Sequence, residues 1–294
     1  MIPVEELDAL DLLIWLGRGS DAAERLGCNQ STVSRRTNHC LQVFDLRLHR
    51  NPDGEPCTRS HDLLRLEREV HQLHRLGQGR NLRIDASLLA APLLRGAVPS
   101  GWIVGHLDGL GWQRPVELLQ ERVLDVWITA MAQELEPEAL DGMCCLPLLT
   151  TPLLLASSKD HPLQGQGQLQ HGDLDGMPRL APRPGSYPRT EIMLGAWRRG
   201  NPPLPLETGA RRRLPQNELL LERSPLLLHY GTAFSLARQS GLCPLPLDLG
   251  VQTQLSLVIR HDVSAQAAIA QLIETLQQRA LAAALADQGV IGLN

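Results

Sequence analysis

The pattern of apolar residues changes near Asn81, and this change restricts the chain to two kinds of fold joined in sequence. Before Asn81, apolar residues recur at helical spacing, as Leu7, Leu10 and Ile14 do. After it, short apolar runs alternate with segments of helical character. This alternation is typical of an α/β domain. We therefore predict an all-α N-terminal unit followed by a C-terminal α/β domain.

The composition is that of a soluble globular protein, because 43% of the 294 residues are hydrophobic and 20% are charged. The chain is long enough for one large domain or two ordinary ones. It has no apolar run long enough to cross a membrane, and no signal segment follows Met1, so we expect a cytoplasmic protein. No C-x-x-C pair occurs among the six cysteines, so neither a disulfide framework nor a zinc site is expected.

Three short helices are predicted at the start of the chain. The first ends near Leu16, and Ser20 or Asp21 caps the second. Gly27 suits a tight left-handed turn, and a third helix begins near Gln30. Its apolar side is formed by Val33, Cys40, Leu41 and Phe44. A helix, a tight turn and a second helix with a polar, basic outer face form a helix-turn-helix.

The outer face of the third helix carries hydroxyl, amide and guanidinium groups, which can reach DNA phosphates and base edges. The formal net charge of the chain is −4, but between Arg25 and Arg50 five arginines stand against one acid, Asp45. Such a local basic surface is an electrostatic footprint for DNA. The alternative is that Ser31 only caps the helix and the arginines are solvated. The candidate DNA-binding residues are Gln30, Ser31, Thr32, Ser34, Arg35, Arg36 and, after the helix, Arg50.

The segment RNPDGEPCT, residues 50–58, predicts a small hairpin, because Pro-Asp-Gly is a strong turn signal. Thr58 or Ser60 then caps a long helix whose apolar pattern ends at Gly77. The apolar positions follow the a and d spacing of two heptads, which suits contact with a second copy of the chain. The alternative is a surface helix that lies on its own domain. The candidate dimerisation residues are Leu63, Leu66, Val70 and Leu73.

Strands and helices alternate in the second part of the chain, which predicts a mostly parallel sheet with helices on both faces. The clearest strands are the runs GWIVGHL, VLDVWITA, CLPLLTTPLLLASS and QLSLVIR. Ligands of such sheets bind where the carboxyl ends of strands meet helix N-termini. Polar residues at these points are the candidate effector-binding residues, namely Ser87, Thr129, Ser186, Tyr187, Tyr230 and Thr232.

Other kinds of chemistry have little support in the sequence. His71 and His74 lie three residues apart on the long helix, but no nearby acid or cysteine completes a metal site. A redox sensor at Cys144 and Cys145 is an alternative, although neighbouring cysteines do not easily pair with each other. No G-x-S-x-G, phosphate-binding loop or H-E-x-x-H motif is present. We therefore expect no enzyme activity, no metal and no cofactor.

Several short motifs follow one another in a fixed order along the chain. In the first part they are Ala22-Ala23, Leu26, Gln30-Ser31-Thr32-Val33-Ser34 and Arg50. In the second part they are Leu124-Asp125-Val126-Trp127-Ile128 and His161-Pro162-Leu163. In this order the chain resembles the LysR-type transcriptional regulators over almost its full length. It departs from the family pattern at His61, where a glycine is expected, and we interpret it as a divergent member.

The resemblance implies three units: a winged helix-turn-helix at 1–59, a linker and dimerisation helix at 60–79, and an effector domain of periplasmic-binding-protein type at 80–294. The effector domain would have two subdomains around a cleft, one formed by 81–152 with 255–294 and the other by 153–254. The implied partners are double-stranded DNA, a small-molecule effector, RNA polymerase, and further copies of the chain in a homodimer or homotetramer. The implied function is ligand-responsive regulation of transcription. The alternative is a binding-protein-like interaction module that has lost DNA binding.

Overall fold

The computed structural model describes most of the N-terminal half of the chain and a smaller share of the C-terminal half. The described residues are 2–87, 90–94, 98–107, 113–130, 132–135, 137–158, 160–174, 179–180, 189, 203–204, 226–230, 242–286 and 291–292. Among the helices in these ranges, none is long and apolar enough to cross a membrane.

The N-terminal region folds into three helices, α1 (Val4–Leu16), α2 (Gly19–Leu26) and α3 (Gln30–Val43). Helix α3 packs against α1 and α2. Its buried side is close to the predicted one, since Val33, Cys40 and Leu41 are buried and Phe44 is half-buried against the same core, but Thr37 joins them. The opposite side of α3 faces solvent.

The ends of these helices differ from the prediction in one respect. Gly17 and Gly27 end α1 and α2 in the left-handed conformation, with φ of 73° and 60°. Neither Ser20 nor Asp21 caps α2, because the helix already begins at Gly19 and Arg18 precedes it without a side-chain cap. The left-handed turn at Gly17 leads the chain almost directly into the next helix, so both polar residues fall inside its first turn.

A short hairpin follows, in which β1 (His49–Arg50) pairs antiparallel with β2 (Pro56–Cys57). The long helix α4 (Asp62–Gln78) comes next. The predicted caps Thr58 and Ser60 are wrong, because His61 caps α4 with its Nδ1 atom, which accepts a hydrogen bond from Leu64 N at 3.4 Å. Gly77 lies within α4, and the left-handed residue that ends it is Gly79.

The rest of the described chain forms strands with a few helices. The strands are β3 (Leu82–Ala86), β4 (Trp102–Val104), β5 (Val126–Thr129), β6 (Met143–Ser158), β7 (Arg179–Leu180), β8 (Pro203–Leu204), β9 (Leu226–Tyr230), β10 (Leu242–Pro244), β11 (Gln252–Arg260) and β12 (Ile291–Gly292). The helices are α5 (Ala91–Leu94), α6 (Gln113–Gln120) and α7 (Ala267–Ala286), with 3-10 turns at Ala132–Glu134, Pro137–Leu140, His171–Leu174 and His261–Val263.

The ten strands from β3 to β12 form one mixed sheet in the order β4-β3-β5-β11-β6-β9-β7-β8, and β10 and β12 also pair with β6. Strand β3 runs parallel to β4 and β5, but β11 runs antiparallel to both β5 and β6. The expectation of a mostly parallel sheet is therefore wrong for the described part. The reason is that β6 and β11 are long strands of opposite direction at the centre of the sheet.

Strand β6 changes its partners part of the way along its length. As far as Pro152 it pairs with β11, and from Leu153 onward it pairs with β9. One continuous strand therefore joins the half of the sheet that contains β3, β4 and β5 to the half that contains β7, β8 and β9.

Two apolar cores lie on the sheet. One is built from strand residues such as Ile84 and Ile128, with α7 packed on it through Leu272. The other joins α1, α2 and α3 to α6 and to Trp127 of β5 in a single cluster. The N-terminal helices and the sheet thus share a core.

Candidate effector site and DNA-binding face

The outer face of α3 carries most of the candidate DNA-binding side chains. Gln30, Ser31, Ser34 and Arg35 are exposed, while Thr32 and Arg36 are partly exposed. The Gln30 side chain lies over the start of α2, because a Cβ atom on Gly19 would come within 3.1 Å of its Cγ. The packing of α3 through its apolar side is what turns these polar groups outward.

Asn29, rather than Ser31, caps the N-terminus of α3. Its Oδ1 atom accepts hydrogen bonds from Thr32 N at 2.8 Å, from Thr32 Oγ1 at 2.8 Å and from Ser31 Oγ at 2.7 Å. The hydroxyl protons of both residues are therefore engaged by the cap, and their oxygen lone pairs are left as acceptors. The sequence signal for this cap was Asn29 directly before the polar run, since asparagine is a strong N-cap residue.

Arg50 has a structural contact in the hairpin. Its guanidinium donates a hydrogen bond to the carbonyl oxygen of Gly54, in the turn that joins β1 and β2. Asn51 supports the same turn by accepting from Glu55 N at 2.9 Å. Arg50 remains exposed, so it holds the hairpin while it faces solvent.

Helix α4 has two unlike faces. One packs on the rest of the protomer and buries Leu64, Arg68, His71, Gln72, Arg75 and Leu76. The opposite face carries the four predicted dimerisation residues, which we call the linker stripe: Leu63, Leu66, Val70 and Leu73, with 45% to 63% of each residue exposed. Helix α4 therefore lies on its own chain, as one alternative predicted, and it also presents an apolar stripe to solvent. Contact of this stripe with a second copy of the chain stays a prediction.

Two of the candidate effector-binding residues lie side by side. Ser87 follows β3 and Thr129 ends β5, and the backbone N–H of Ser87 donates to the carbonyl of Ile128 at 2.8 Å. Both residues are buried. Within the described part of the chain, Ser87 Oγ has no hydrogen-bond partner, which is unusual for a buried hydroxyl. The carboxyl ends of β3 and β5 thus place two buried hydroxyl groups next to each other. We call this pair, Ser87 and Thr129, the polar point.

Sequence reasoning missed two hydroxyl residues that extend this point across the sheet. Thr253 of β11 is buried, and its Oγ1 donates to the carbonyl of Ala130 at 2.7 Å, directly after β5. Thr253 is paired in register with Thr151 of β6, which is also buried. The signal in the sequence was a threonine within each of two long predicted strands, where burial makes an unpaired hydroxyl costly.

The remaining candidate effector residues are only partly placed. Tyr230 is the last residue of β9 and pairs in register with Leu153, where β6 changes partners. Ser186, Tyr187 and Thr232 lie outside the described residues. The structure therefore brings Ser87 and Thr129 together and puts the backbone of Tyr230 beside the partner change of β6.

The other candidate groups have ordinary surroundings. No group of three or more potential metal ligands occurs within the described ranges. His71 is buried beside Glu67, with 3.7 Å between Nε2 and Oε1, and burial lowers its pKa. Cys144 and Cys145 pack against different cores, and burial raises the pKa of Cys145, which disfavours a reactive thiolate.

A known protein family and several solved structures are similar to this chain. The model of the LysR substrate binding domain family matches residues 106–281, more than half of the chain. No curated protein matches the sequence. The fold is similar to that of CbnR, a LysR family transcriptional regulator, with a TM-score of 0.54, 14% identity, and coverage of 94% of this chain and 99% of that chain.

Two further solved structures are similar. A full-length OxyR variant from Pseudomonas aeruginosa has a TM-score of 0.53, 13% identity, and coverage of 94% of this chain and 98% of that chain. ArgP from Mycobacterium tuberculosis has a TM-score of 0.52, 18% identity, and coverage of 93% and 96%. The structural likeness concerns the fold, and the family match carries the assignment. The chain therefore belongs to the family of LysR-type transcriptional regulators.

Proposed function

We propose that this protein is a ligand-responsive transcriptional regulator that binds promoter DNA as an oligomer through a winged helix-turn-helix formed by α2, α3 and the β1–β2 hairpin. The observation that carries the proposal is the outer face of α3. Its apolar side is packed on α1, so its polar and basic side chains are held toward solvent. A rigid helix with such a face can enter the major groove of DNA.

The chemistry of this face suits both parts of a DNA contact. Arg35 and Arg36 supply guanidinium groups, which bind phosphate or pair with guanine in a bidentate way. Ser34 is exposed and offers a hydroxyl that acts as donor or acceptor. The exposed Arg50 on the hairpin suits a backbone phosphate beside the groove.

The effector would bind at the carboxyl ends of β3 and β5. A buried hydroxyl without a partner costs free energy, which a ligand acceptor or donor at Ser87 Oγ would recover. The neighbouring hydroxyl residues Thr129, Thr253 and Thr151 make the surroundings polar without adding charge. These features favour a small polar metabolite held between the two halves of the sheet that β6 joins.

A second candidate function is an interaction module that does not bind DNA. It is favoured by the contacts of Ser31 and Thr32 with Asn29 and of Arg50 with Gly54, because these contacts occupy donors that DNA would use. RNA polymerase would be a partner of the regulator but not of such a module.

The deciding experiment is genome-wide immunoprecipitation of the tagged full-length protein with its DNA. Enrichment of defined intergenic sites is expected for the regulator. A uniform background, with the protein folded and abundant, would exclude DNA-directed regulation and leave the interaction module.

Arg35→Ala is expected to weaken binding to an enriched DNA site by about 1–3 kcal/mol if Arg35 reads a base. A phosphate contact would instead weaken all sequences alike and reduce the salt dependence by about one charge. Gel-shift titration at several salt concentrations measures both. Arg65→Ala, which changes an exposed arginine of α4, is the matched control. If Arg35→Ala and Arg65→Ala bind equally well, α3 does not contact DNA through Arg35.

Thr129→Val and Ser87→Ala are each expected to cost about 0.5–1.5 kcal/mol in the binding of a metabolite identified by thermal shift. Each change removes one hydroxyl from the polar point where β3 and β5 end. Isothermal calorimetry measures the affinity, and Ser264→Ala removes a partly exposed hydroxyl elsewhere as the control. Wild-type affinity in both site variants would move the effector site away from these strand ends.

A further inference from the structure

Strand β3 contacts the DNA-binding unit directly through alternate residues. Ile84 and Ala86 belong to the core of the effector domain. Arg83 and Asp85, on the other side of the strand, reach helix α1. The same strand is followed directly by Ser87, in the proposed effector site. One short strand therefore has the DNA-binding unit on its side and the effector site at its end.

Arg83 forms a fixed anchor between the strand and α1. Its Nη2 donates to Asp8 Oδ1 at 2.5 Å, and its Nη1 donates to Asp11 Oδ2 at 3.0 Å and to the Val123 carbonyl at 3.0 Å. Burial alone would raise the pKa of Asp11, but Arg68 and Arg83 outweigh it, so this pKa lies below its usual value. The Arg83 guanidinium is therefore buried, and it donates hydrogen bonds to three different oxygen atoms.

Asp85 forms the second contact, closer to the effector site. Its Oδ2 accepts a hydrogen bond from Trp15 Nε1 of α1 at 2.8 Å. Its Oδ1 accepts from the backbone N–H of Ala86 at 2.8 Å and of Leu107 at 3.2 Å. A Cβ atom on Gly105 would come within 2.1 Å of Asp85 Oδ2, so the strand β4 side also closes on the carboxylate. Asp85 has little freedom to move without moving Trp15.

A histidine in the loop after β4 also contacts the N-terminal helices. His106, which follows Gly105, has its Nε2 atom 3.2 Å from the Leu16 carbonyl and 3.1 Å from Asp21 Oδ2. The end of α1 and the start of α2 are therefore held by the same loop that closes on Asp85. Helix α3 packs through Val33 and its neighbours in the same apolar core as α1.

We propose that β3 transmits the state of the effector site to the DNA-binding unit of the same protomer, with Arg83 as the anchor and the Asp85–Trp15 hydrogen bond as the moving contact. The inference rests on the proposed function in taking Ser87 as part of an effector site and α3 as the DNA-binding helix. A displacement of the strand end at Ser87 shifts Asp85, and Trp15 carries the shift into α1 and the α3 packed on it.

The test uses the full-length protein without DNA or metabolite, so its result does not depend on the outcome of the immunoprecipitation. Ser87→Val adds bulk at the strand end, and amide hydrogen exchange is followed by mass spectrometry in α1 and α3. We expect exchange there to become about two- to thirtyfold faster, the range of measured coupling between sites. Combined with Trp15→Phe, which keeps the ring and removes the N–H donor, Ser87→Val is expected to add no further acceleration in these helices.

Thr253→Val is the matched control, because it changes a buried hydroxyl that extends the polar point, on a strand that does not carry Asp85. It is expected to leave exchange in α1 and α3 unchanged. The proposal is overturned if Ser87→Val leaves these helices unaffected, or if it accelerates them equally with and without the Trp15 N–H. Should Ser87→Val fail to fold, Ser87→Thr adds a single methyl group and is measured in the same way.

Discussion

Arg83→Met is expected to lower the free energy of unfolding by about 3–5 kcal/mol. The guanidinium of Arg83 is almost completely buried and pairs with both Asp8 and Asp11. Its removal leaves Asp8 buried beside an apolar side chain, and an unpaired buried carboxylate is far more costly than a broken surface pair. Urea unfolding followed by circular dichroism gives the midpoint and slope from which this difference is obtained.

Arg65→Met is the matched control for this measurement. Arg65 lies 3.9 Å from Asp62 in an exposed pair on α4, and its loss is expected to change stability by less than about 1 kcal/mol. If the two variants unfold at the same urea concentration, the N-terminal helices do not rest on β3 in solution. Both the shared core and the coupling through Asp85 would then have to be abandoned.

The combined change Leu66→Glu with Val70→Glu is expected to dissociate the proposed oligomer. These residues lie at the centre of the linker stripe, which faces solvent in the single protomer. In a symmetric dimer four such side chains are buried, and at roughly 25 cal/mol per Å² of apolar surface their loss weakens association by at least about a hundredfold. Four new carboxylates at the seam add repulsion. Light scattering over a dilution series measures the change.

The control places the same two charges beside the stripe. His74→Glu with Gln78→Glu changes exposed positions of α4 outside the stripe, and the proposed oligomer is expected to persist. DNA affinity should fall in the first variant alone, because two half-sites are then no longer held by one particle. An unchanged oligomer in the first variant would show that copies of the chain associate elsewhere.

Features with a strong local or periodic signal could be predicted from the sequence. The helical spacing of apolar residues located α1 and α3, and the a and d spacing located the exposed stripe on α4. The neighbouring positions of Ser87 and Thr129 followed from parallel pairing of two apolar strands, whose carboxyl ends meet at one edge. In each case the spacing of residues along the chain determines by itself which of them share a helix face or a sheet edge.

Contacts between distant parts of the chain could not be predicted in this way. Glu5 and Asp8 look alike in sequence, yet Glu5 is exposed and Asp8 is buried against Arg83. Their difference depends on which side of α1 meets β3, and that is decided by tertiary packing. The cap at His61 was missed for a related reason, since a ring nitrogen can take a role usually given to serine or threonine.

The shared core also limits how this protein can be recombined with its relatives. A hybrid regulator would join the proposed DNA-binding part of one member to the proposed effector part of another. In this chain the exchange of residues 1–79 would set foreign side chains against Trp127 and α6 and would remove both carboxylate partners of Arg83. If α3 binds DNA as proposed, a new DNA specificity is better introduced on the outer face of α3 alone, and α1 is best left unchanged because it packs on the sheet.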